Sequence, residues 1–342
     1  MSDVLLQHLW YFVIGLCVVA YTVLDGFDLG VGILHAFVRK DQERRVLLNA
    51  IGPVWDGNEV WLVVLVGALF AGFPPAYAVL CSGFYNFCIL FLGFLIFRAV
   101  AIEFRSKQSS MTWRNTWDYV FSLSSFGLAF GVGLVLGNLI EGVPLDEAQD
   151  FVGTFAVFFR PYPLLIGCTS AVLFAMHGAI YLVMKTEGIL HEKLRLWARR
   201  SMMLFFIFYF LTTCATLVYM PFMAHRMREH PGLFLLPALA FVLFWMIPAL
   251  FIRGKDGSAF LCSCLGISCL IGLFGLGTYP VLIRSSLDPD QHSLTLFNAS
   301  SSPLTLKLLL LIVLIGVPLV LGYGFYIYRV FRGKVKMGSM SY

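Results

Sequence analysis

Long apolar runs, separated by short polar segments, dominate the chain. About nine runs are long enough to cross a bilayer, since roughly 20 apolar residues span its hydrocarbon core. We place them at residues 9–37, 55–73, 75–104, 117–140, 162–185, 199–222, 232–252, 258–283 and 304–331. Because the connections are too short for a soluble domain, the pattern predicts an all-α polytopic membrane protein, with two four-helix bundles plus one C-terminal helix.

Acidic residues interrupt the apolar pattern at two places early in the chain. Asp25 and Asp28 lie within the first run, and Asp56 and Glu59 lie at the start of the second. Each pair is three residues apart, so its members share one face of a helix. Ionisable residues inside a bilayer are costly and point to function. The two pairs therefore predict a buried proton or cation route.

Composition supports a membrane protein and argues against a nucleic-acid partner. Only 13% of the residues are charged and 59% are hydrophobic, whereas soluble domains average about 25% charged. The net charge of +5 is spread along the chain rather than clustered. The N-terminus lacks the basic segment of a cleavable signal peptide, so we expect the first run to remain as a helix. The eight cysteines have no metal-site spacing and are expected to be packing thiols.

The distribution of basic residues predicts the orientation. Nineteen of the 24 Lys and Arg residues fall on one side if the N-terminus is outside and the C-terminus is cytoplasmic. The four acids, with Arg98 and Glu103 near the end of the third run, then lie in the inner half of the membrane. This favours a half-channel open to the cytoplasm. The alternative is that Arg98 neutralises one carboxylate and Glu103 is an interfacial charge.

An internal repeat is the predicted domain organisation. Residues 1–140 and 161–283 are expected to be two four-helix repeats within a single membrane domain, 1–342, followed by a ninth helix at 304–331. Leu24-Asp25-Gly26 and Met176-His177-Gly178 lie at similar depths in the first helix of each unit. An even number of spans per unit implies a parallel repeat.

His177 is the one histidine placed well inside a predicted span. It is open to three interpretations: a hydrogen-bonded interhelical histidine, a haem ligand or a proton relay. The neighbouring Met176 cannot supply a second axial ligand, because adjacent residues on a helix point apart. We predict no metal site and identify no cofactor that this chain binds directly.

Seven short segments match the motifs of a known protein family, in the same order along the chain. They are residues 24–32 (LDGFDLGVG), 52–61 (GPVWDGNEVW), 83–85 (GFY), 97–107 (beginning FR and ending RSK), 113–118 (WRNTWD), 137–144 (GN followed by GVP) and 298–302 (NASSS). In this set the chain resembles subunit II of the cytochrome bd-type quinol oxidases, including their cyanide-insensitive relatives.

The resemblance implies a subunit of a quinol:dioxygen oxidoreductase in the bacterial cytoplasmic (inner) membrane. The family oxidises quinol and reduces dioxygen to water with cytoplasmic protons. Haems b and d are expected in the partner, subunit I. A small single-helix accessory subunit, membrane lipids and a structural quinone or lipid between the helices are further expected partners.

The resemblance also assigns candidate residues. Asp56 and Glu103 match acidic sites for proton delivery, and Asp25, Asp28 and Trp55 match the same inner cluster. Four further residues are predicted to support them: Asn58, Glu59, Arg98 and His177. Two other functions stay open on the residues alone: an ion- or proton-coupled secondary transporter with midplane acids, and a purely architectural subunit.

Overall fold

The computed structural model describes residues 2–336, which form twelve α-helices and one short β-hairpin. The helices are α1 (Asp3–His35), α2 (Asp41–Ile51), α3 (Trp55–Gly72), α4 (Pro74–Gly83), α5 (Tyr85–Phe104), α6 (Met111–Glu141), α7 (Pro161–Lys185), α8 (Gly188–Tyr219), α9 (His225–Glu229), α10 (Leu235–Ile252), α11 (Asp256–Thr278) and α12 (Pro303–Val330). Strands β1 (Val281–Ile283) and β2 (Leu294–Thr295) pair antiparallel. Residue 1 and residues 337–342, the ends of the predicted domain, lie outside the described residues.

Eight helices within residues 2–336 are long and apolar enough to cross a membrane: α1, α5, α6, α7, α8, α10, α11 and α12. The consecutive helices α2 and α3 form a ninth span if they are counted together. The predicted all-α membrane architecture with about nine spans is therefore confirmed.

A bend of 50° separates α2 from α3. Gly52 and Pro53 lie at this break, and proline interrupts a helix because it has no N–H and clashes with the preceding turn. The Tyr181 hydroxyl of α7 donates to the Ala50 carbonyl at 2.8 Å. This bond supplies a partner for one of the carbonyls left unpaired at the end of α2. The bend brings Trp55, Asp56 and the residues after them into the first turns of α3.

Two predicted spans differ from the observed helices. The run 75–104 is two helices, α4 and α5, because the backbone leaves helical geometry at Phe84. The run 258–283 was predicted as one helix, but α11 ends at Thr278 and the following residues form β1. Pro280 lies two residues after Thr278, at a position where proline is common because it cannot continue a helix.

The first and seventh helices cross at the centre of the molecule. A Cβ atom on Gly30 would lie 1.8 Å from the Phe174 carbonyl oxygen, and one on Gly178 would lie 2.5 Å from the Gly30 carbonyl carbon. Only glycine permits such a backbone approach at these two positions. The crossing fixes the segment of α1 that carries Asp25 and Asp28.

The loops at the N-terminal end of α1 are tied together by backbone hydrogen bonds. The Val143 N–H donates to the Arg284 carbonyl at 2.9 Å, and the Ser286 N–H donates back to the Val143 carbonyl at 2.9 Å. The Ser301 N–H donates to the Gly72 carbonyl at 2.9 Å, just before α12 begins. These bonds connect the loop after α6, the β-hairpin and the end of α3.

Candidate functional site

A cluster of ionisable side chains lies where α1, α3 and α5 meet. Gly26 and Gly30 face α7, so Asp25 and Asp28, three residues apart, are directed to a different side of α1. Arg98 comes from α5. All three ionisable residues are fully buried, so the cluster has to satisfy its charges internally.

Arg98 forms a two-pronged ion pair with Asp25. Its Nη1 donates to Oδ2 of Asp25 at 2.9 Å, and its Nη2 donates to Oδ1 at 2.5 Å. A bidentate guanidinium–carboxylate pair is strong and directional. Breaking it would leave an uncompensated buried charge, at a cost of about 3–5 kcal/mol.

Glu59 extends the cluster toward the protein surface. Its Oε2 lies 3.5 Å from Nη1 of Arg98, and its side chain is 18% exposed. Asp56 precedes it by three residues, on the same face of α3, and is exposed. The carboxylates thus form a series from the exposed Asp56 through the half-buried Glu59 to the buried Asp25.

Asn58 connects Asp28 to the last helix. Its Nδ2 donates to Oδ2 of Asp28 at 2.7 Å and lies 3.3 Å from the Leu24 carbonyl oxygen, while its Oδ1 accepts from the Tyr328 hydroxyl at 2.8 Å. Tyr328 belongs to α12 and was not among the predicted residues. No sequence signal separates it from the other tyrosines near the end of that run.

Trp55 and Glu103 occupy different positions from the charged cluster. Trp55 is buried at the first residue of α3. Glu103 is exposed, and five residues along α5 place it about 140° around the helix from Arg98. Glu103 lies at the surface, as Asp56 does, and its role in proton delivery stays a prediction.

His177 is a hydrogen-bonded interhelical histidine. Its Nε2 lies 3.0 Å from the Val23 carbonyl oxygen of α1, to which it can only donate, and its Nδ1 lies 2.8 Å from the Ser263 hydroxyl of α11. Phe260 stacks on the ring with centroids 5.0 Å apart. Both ring nitrogens are thus engaged, which leaves none for haem iron.

The described residues show no side-chain cluster that could hold a metal ion. His35 is the other fully buried histidine, and its Nε2 lies 3.3 Å from Asp118 Oδ1 at the packed end of α1. Within residues 2–336, no group of three or more His, Cys, Asp or Glu side chains is arranged to hold a metal.

A second ionic cluster, near the end of α1 that carries His35, was missed. Asp118 of α6 accepts from Arg105 Nε at 2.5 Å and from Arg44 Nη1 at 2.8 Å, and Arg105 also contacts Asp41 at 2.7 Å. The cluster joins α2, α6 and the segment after α5. Asp118, the one acidic residue in the segment 113–118, was the available signal.

Comparisons with known proteins agree on one family. A family model described as cytochrome bd terminal oxidase subunit II matches residues 6–331. The cytochrome bd-I ubiquinol oxidase subunit 2 of Escherichia coli (strain K12) is 33% identical, with 96% of this chain and 95% of that protein covered. The cytochrome bd ubiquinol oxidase subunit 2 of Bacillus subtilis (strain 168) is 34% identical, with 96% and 97% covered.

A solved structure shares the fold. The bd oxidase from Geobacillus thermodenitrificans matches with a TM-score of 0.72 at 17% sequence identity, covering 95% of this chain and 98% of that chain.

Proposed function

The chain belongs to the cytochrome bd terminal oxidase subunit II family, and from this premise we propose that it supplies a proton route to the haem-bearing subunit I. It is a multi-pass membrane subunit of a bacterial cytochrome bd-type quinol oxidase, an oxidoreductase complex whose family implies haems. The observation that carries the proposal is the series of carboxylates from the exposed Asp56 to the buried Asp25 and Asp28.

The route begins at the surface of α3. Asp56 collects a proton from the cytoplasm, and Glu59, three residues further on, passes it inward. Arg98 lies against both Glu59 and Asp25. Its positive charge offsets part of the negative charge of these two carboxylates. Ordered water completes the path, as is usual where buried polar groups are too far apart for direct contact.

The orientation follows from the basic residues, with the N-terminus outside and the C-terminus cytoplasmic. Asp56 and Glu103 then lie near the cytoplasmic ends of α3 and α5. A proton that moves from the cytoplasm into the membrane moves against the membrane potential. A full crossing stores about 2.3 kcal/mol per 100 mV. This orientation therefore lets protons for dioxygen reduction contribute to the electrical gradient.

Subunit I is proposed to cover the apolar surface of α3 and α5 that lies next to Asp56 and Glu103. Val63 on α3 is 68% exposed and Ile96 on α5 is 61% exposed, each seven residues, about two helical turns, from the acid on its helix. Both acids are exposed and lie at the cytoplasmic edge of this surface, where water reaches them. A partner here would leave Asp56 open to the cytoplasm and would receive the protons from the inner end of the route.

The two-repeat organisation is also proposed. The helix contacts of α1, α3, α5 and α6 recur in α7, α8, α10 and α11: α1 packs on α3 as α7 does on α8, and α5 packs on α6 as α10 does on α11. The Gly30–Gly178 crossing would lie near the axis that relates the two units. In the two repeats, Gly178 would then correspond to Gly30. The sequence alignment of residues 24–26 with residues 176–178 had matched Gly178 to Gly26 instead. The accessory helix and the bound quinone or lipid stay predictions.

The proton route is tested by Asp56→Asn in the purified two-subunit complex. We expect quinol-driven oxygen consumption to fall at least about tenfold, with haem content unchanged. Asp150→Asn is the matched control, since Asp150 is also exposed but lies in the loop after α6. Loss of haem with loss of turnover would instead make Asp56 an assembly residue, and unchanged turnover would remove it from the route.

The family assignment favours the oxidase over the secondary transporter. The purely architectural alternative predicts that Asp56→Asn and Glu103→Gln both leave turnover and assembly unchanged.

A further inference from the structure

The two buried aspartates of α1 have different surroundings, and we propose that they have different roles. Asp25 is a permanent carboxylate held by Arg98. Asp28 is the carboxyl that takes up and releases the proton, and Tyr328 is a positioning residue that acts on it through Asn58. This assignment rests on the proton route proposed above. It identifies the carboxyl of Asp28 as the group that carries the proton at the inner end of that route.

Asp25 is fixed in the ionised form by its hydrogen bonds. Both of its oxygens accept from the guanidinium of Arg98, at 2.9 and 2.5 Å. A proton on either oxygen would displace one of these charge-assisted bonds and leave a buried cation without its counter-charge. Asp25 therefore neutralises the charge of Arg98 and does not take up and release protons.

Asp28 has a neutral partner instead of a cation. Its Oδ2 accepts from the Asn58 amide at 2.7 Å, and among residues 2–336 no basic nitrogen lies within 4.0 Å of its oxygens. Its Oδ1 is buried and has no hydrogen-bond partner among the described residues. The charge of Arg98 reaches Asp28 only at longer range and is already paired with Asp25. A buried carboxyl with no cation in contact favours its protonated form.

Tyr328 holds the Asn58 amide in place. The Leu24 carbonyl can only accept, so the Nδ2 end of Asn58 faces it and Asp28 Oδ2. The Oδ1 end then accepts from the Tyr328 hydroxyl at 2.8 Å. With Oδ2 occupied by a donor, Oδ1 is the oxygen left to carry the proton. An O–H bond forms there as one breaks in the donating water or carboxyl, and the reverse occurs on release, with no electron transfer.

Infrared difference spectra of the purified complex, recorded on reduction, test the assignment. A protonated carboxyl has a C=O stretching band that a carboxylate lacks. We expect this band in the wild-type complex, its loss in Asp28→Asn, and a displaced band in Tyr328→Phe. Tyr326→Phe is the matched control, because Tyr326 lies on the same helix, two residues away, and is 61% exposed.

Turnover provides the second measurement. Loss of one hydrogen bond is worth about 0.5–1.5 kcal/mol, so Tyr328→Phe should slow oxygen consumption about 2- to 10-fold with full haem content. Tyr326→Phe should not slow it. If Asp28→Asn does not assemble, the comparison of the two tyrosine variants decides alone.

Two results would overturn the assignment: a band that persists in Asp28→Asn, or a band that Tyr326→Phe displaces as much as Tyr328→Phe does. Failure of the wider route is separable from both. Full turnover in Asp56→Asn would overturn the route through Asp56, yet it would leave the carboxyl band of Asp28 in place.

Discussion

At the scale of single residues, the Asp25–Arg98 pair determines what the cluster tolerates. The pair is fully buried, so its two charges depend on each other for compensation. Removing one charge should therefore do more harm than removing both.

We expect Arg98→Gln to destabilise the complex by about 3–5 kcal/mol and to lower haem content, because Asp25 is left as an unpaired buried carboxylate. The double variant Arg98→Gln/Asp25→Asn should recover a large part of that loss, since two amides can hydrogen-bond without net charge. Thermal unfolding of the wild type, both single variants and the double variant measures the coupling. Additive losses would show that the pair is not coupled.

The residues of this cluster could be predicted from the sequence to different degrees. Asp25 and Arg98 stand out because charges are rare in apolar runs. Tyr328 could not be found, because Tyr323, Tyr326 and Tyr328 are equally typical of interfacial aromatics. Tyr323 and Tyr326 are more than 60% exposed, and only the packing of α12 against α1 and α3 turns the third tyrosine inward.

At the scale of helices, the approach of α1 to α7 depends on two glycines. Gly30→Ala should destabilise the complex by about 1–3 kcal/mol or prevent its assembly, because the new methyl would collide with the backbone of α7. Gly15→Ala is the control on the same helix, since nothing lies within 4 Å of a Cβ there. Yield and melting temperature of the two complexes provide the comparison, and equal values would contradict a tight crossing.

The bend between α2 and α3 offers a second test at this scale. Tyr181→Phe removes the hydroxyl that donates to the Ala50 carbonyl and leaves that acceptor unpaired in a buried position. We expect a loss of about 1–3 kcal/mol in stability. Tyr219→Phe should cost nothing measurable, because Tyr219 is 71% exposed. Equal melting temperatures for the two variants would mean that the bend does not need this bond.

Helix number was predictable from the sequence, but hydropathy alone did not give the helix ends and bends. The break at Phe84 falls inside a continuous apolar run. Pro280 after α11 and Pro53 before α3 were available signals, but the apolar pattern used to place the spans does not register them. The ionic cluster around Asp118 brings together residues more than 70 positions apart, so no local pattern could have identified its partners.

At the scale of the whole molecule, the asymmetry of basic residues predicts the orientation. A reporter that fluoresces only in the cytoplasm should be active at the C-terminus, and a phosphatase that needs the outer compartment should be inactive there. The same phosphatase fused after Asp150 should be active. The reverse pattern would place the acids near the outer surface and overturn the cytoplasmic source of protons.

The position of the Asp25–Arg98 pair has a consequence for biosynthesis. Arg98 lies on α5, so it leaves the ribosome long before α7 does, and chains fold from the N-terminus as they are made. The first helices can therefore neutralise their most deeply buried charge while the second half of the protein does not yet exist. A nascent chain ending after α6 should retain α1 in the membrane, and Arg98→Gln should reduce the retained fraction. The ion pair of the mature site would then also help the first half of the chain to stay in the bilayer before the second half is synthesised.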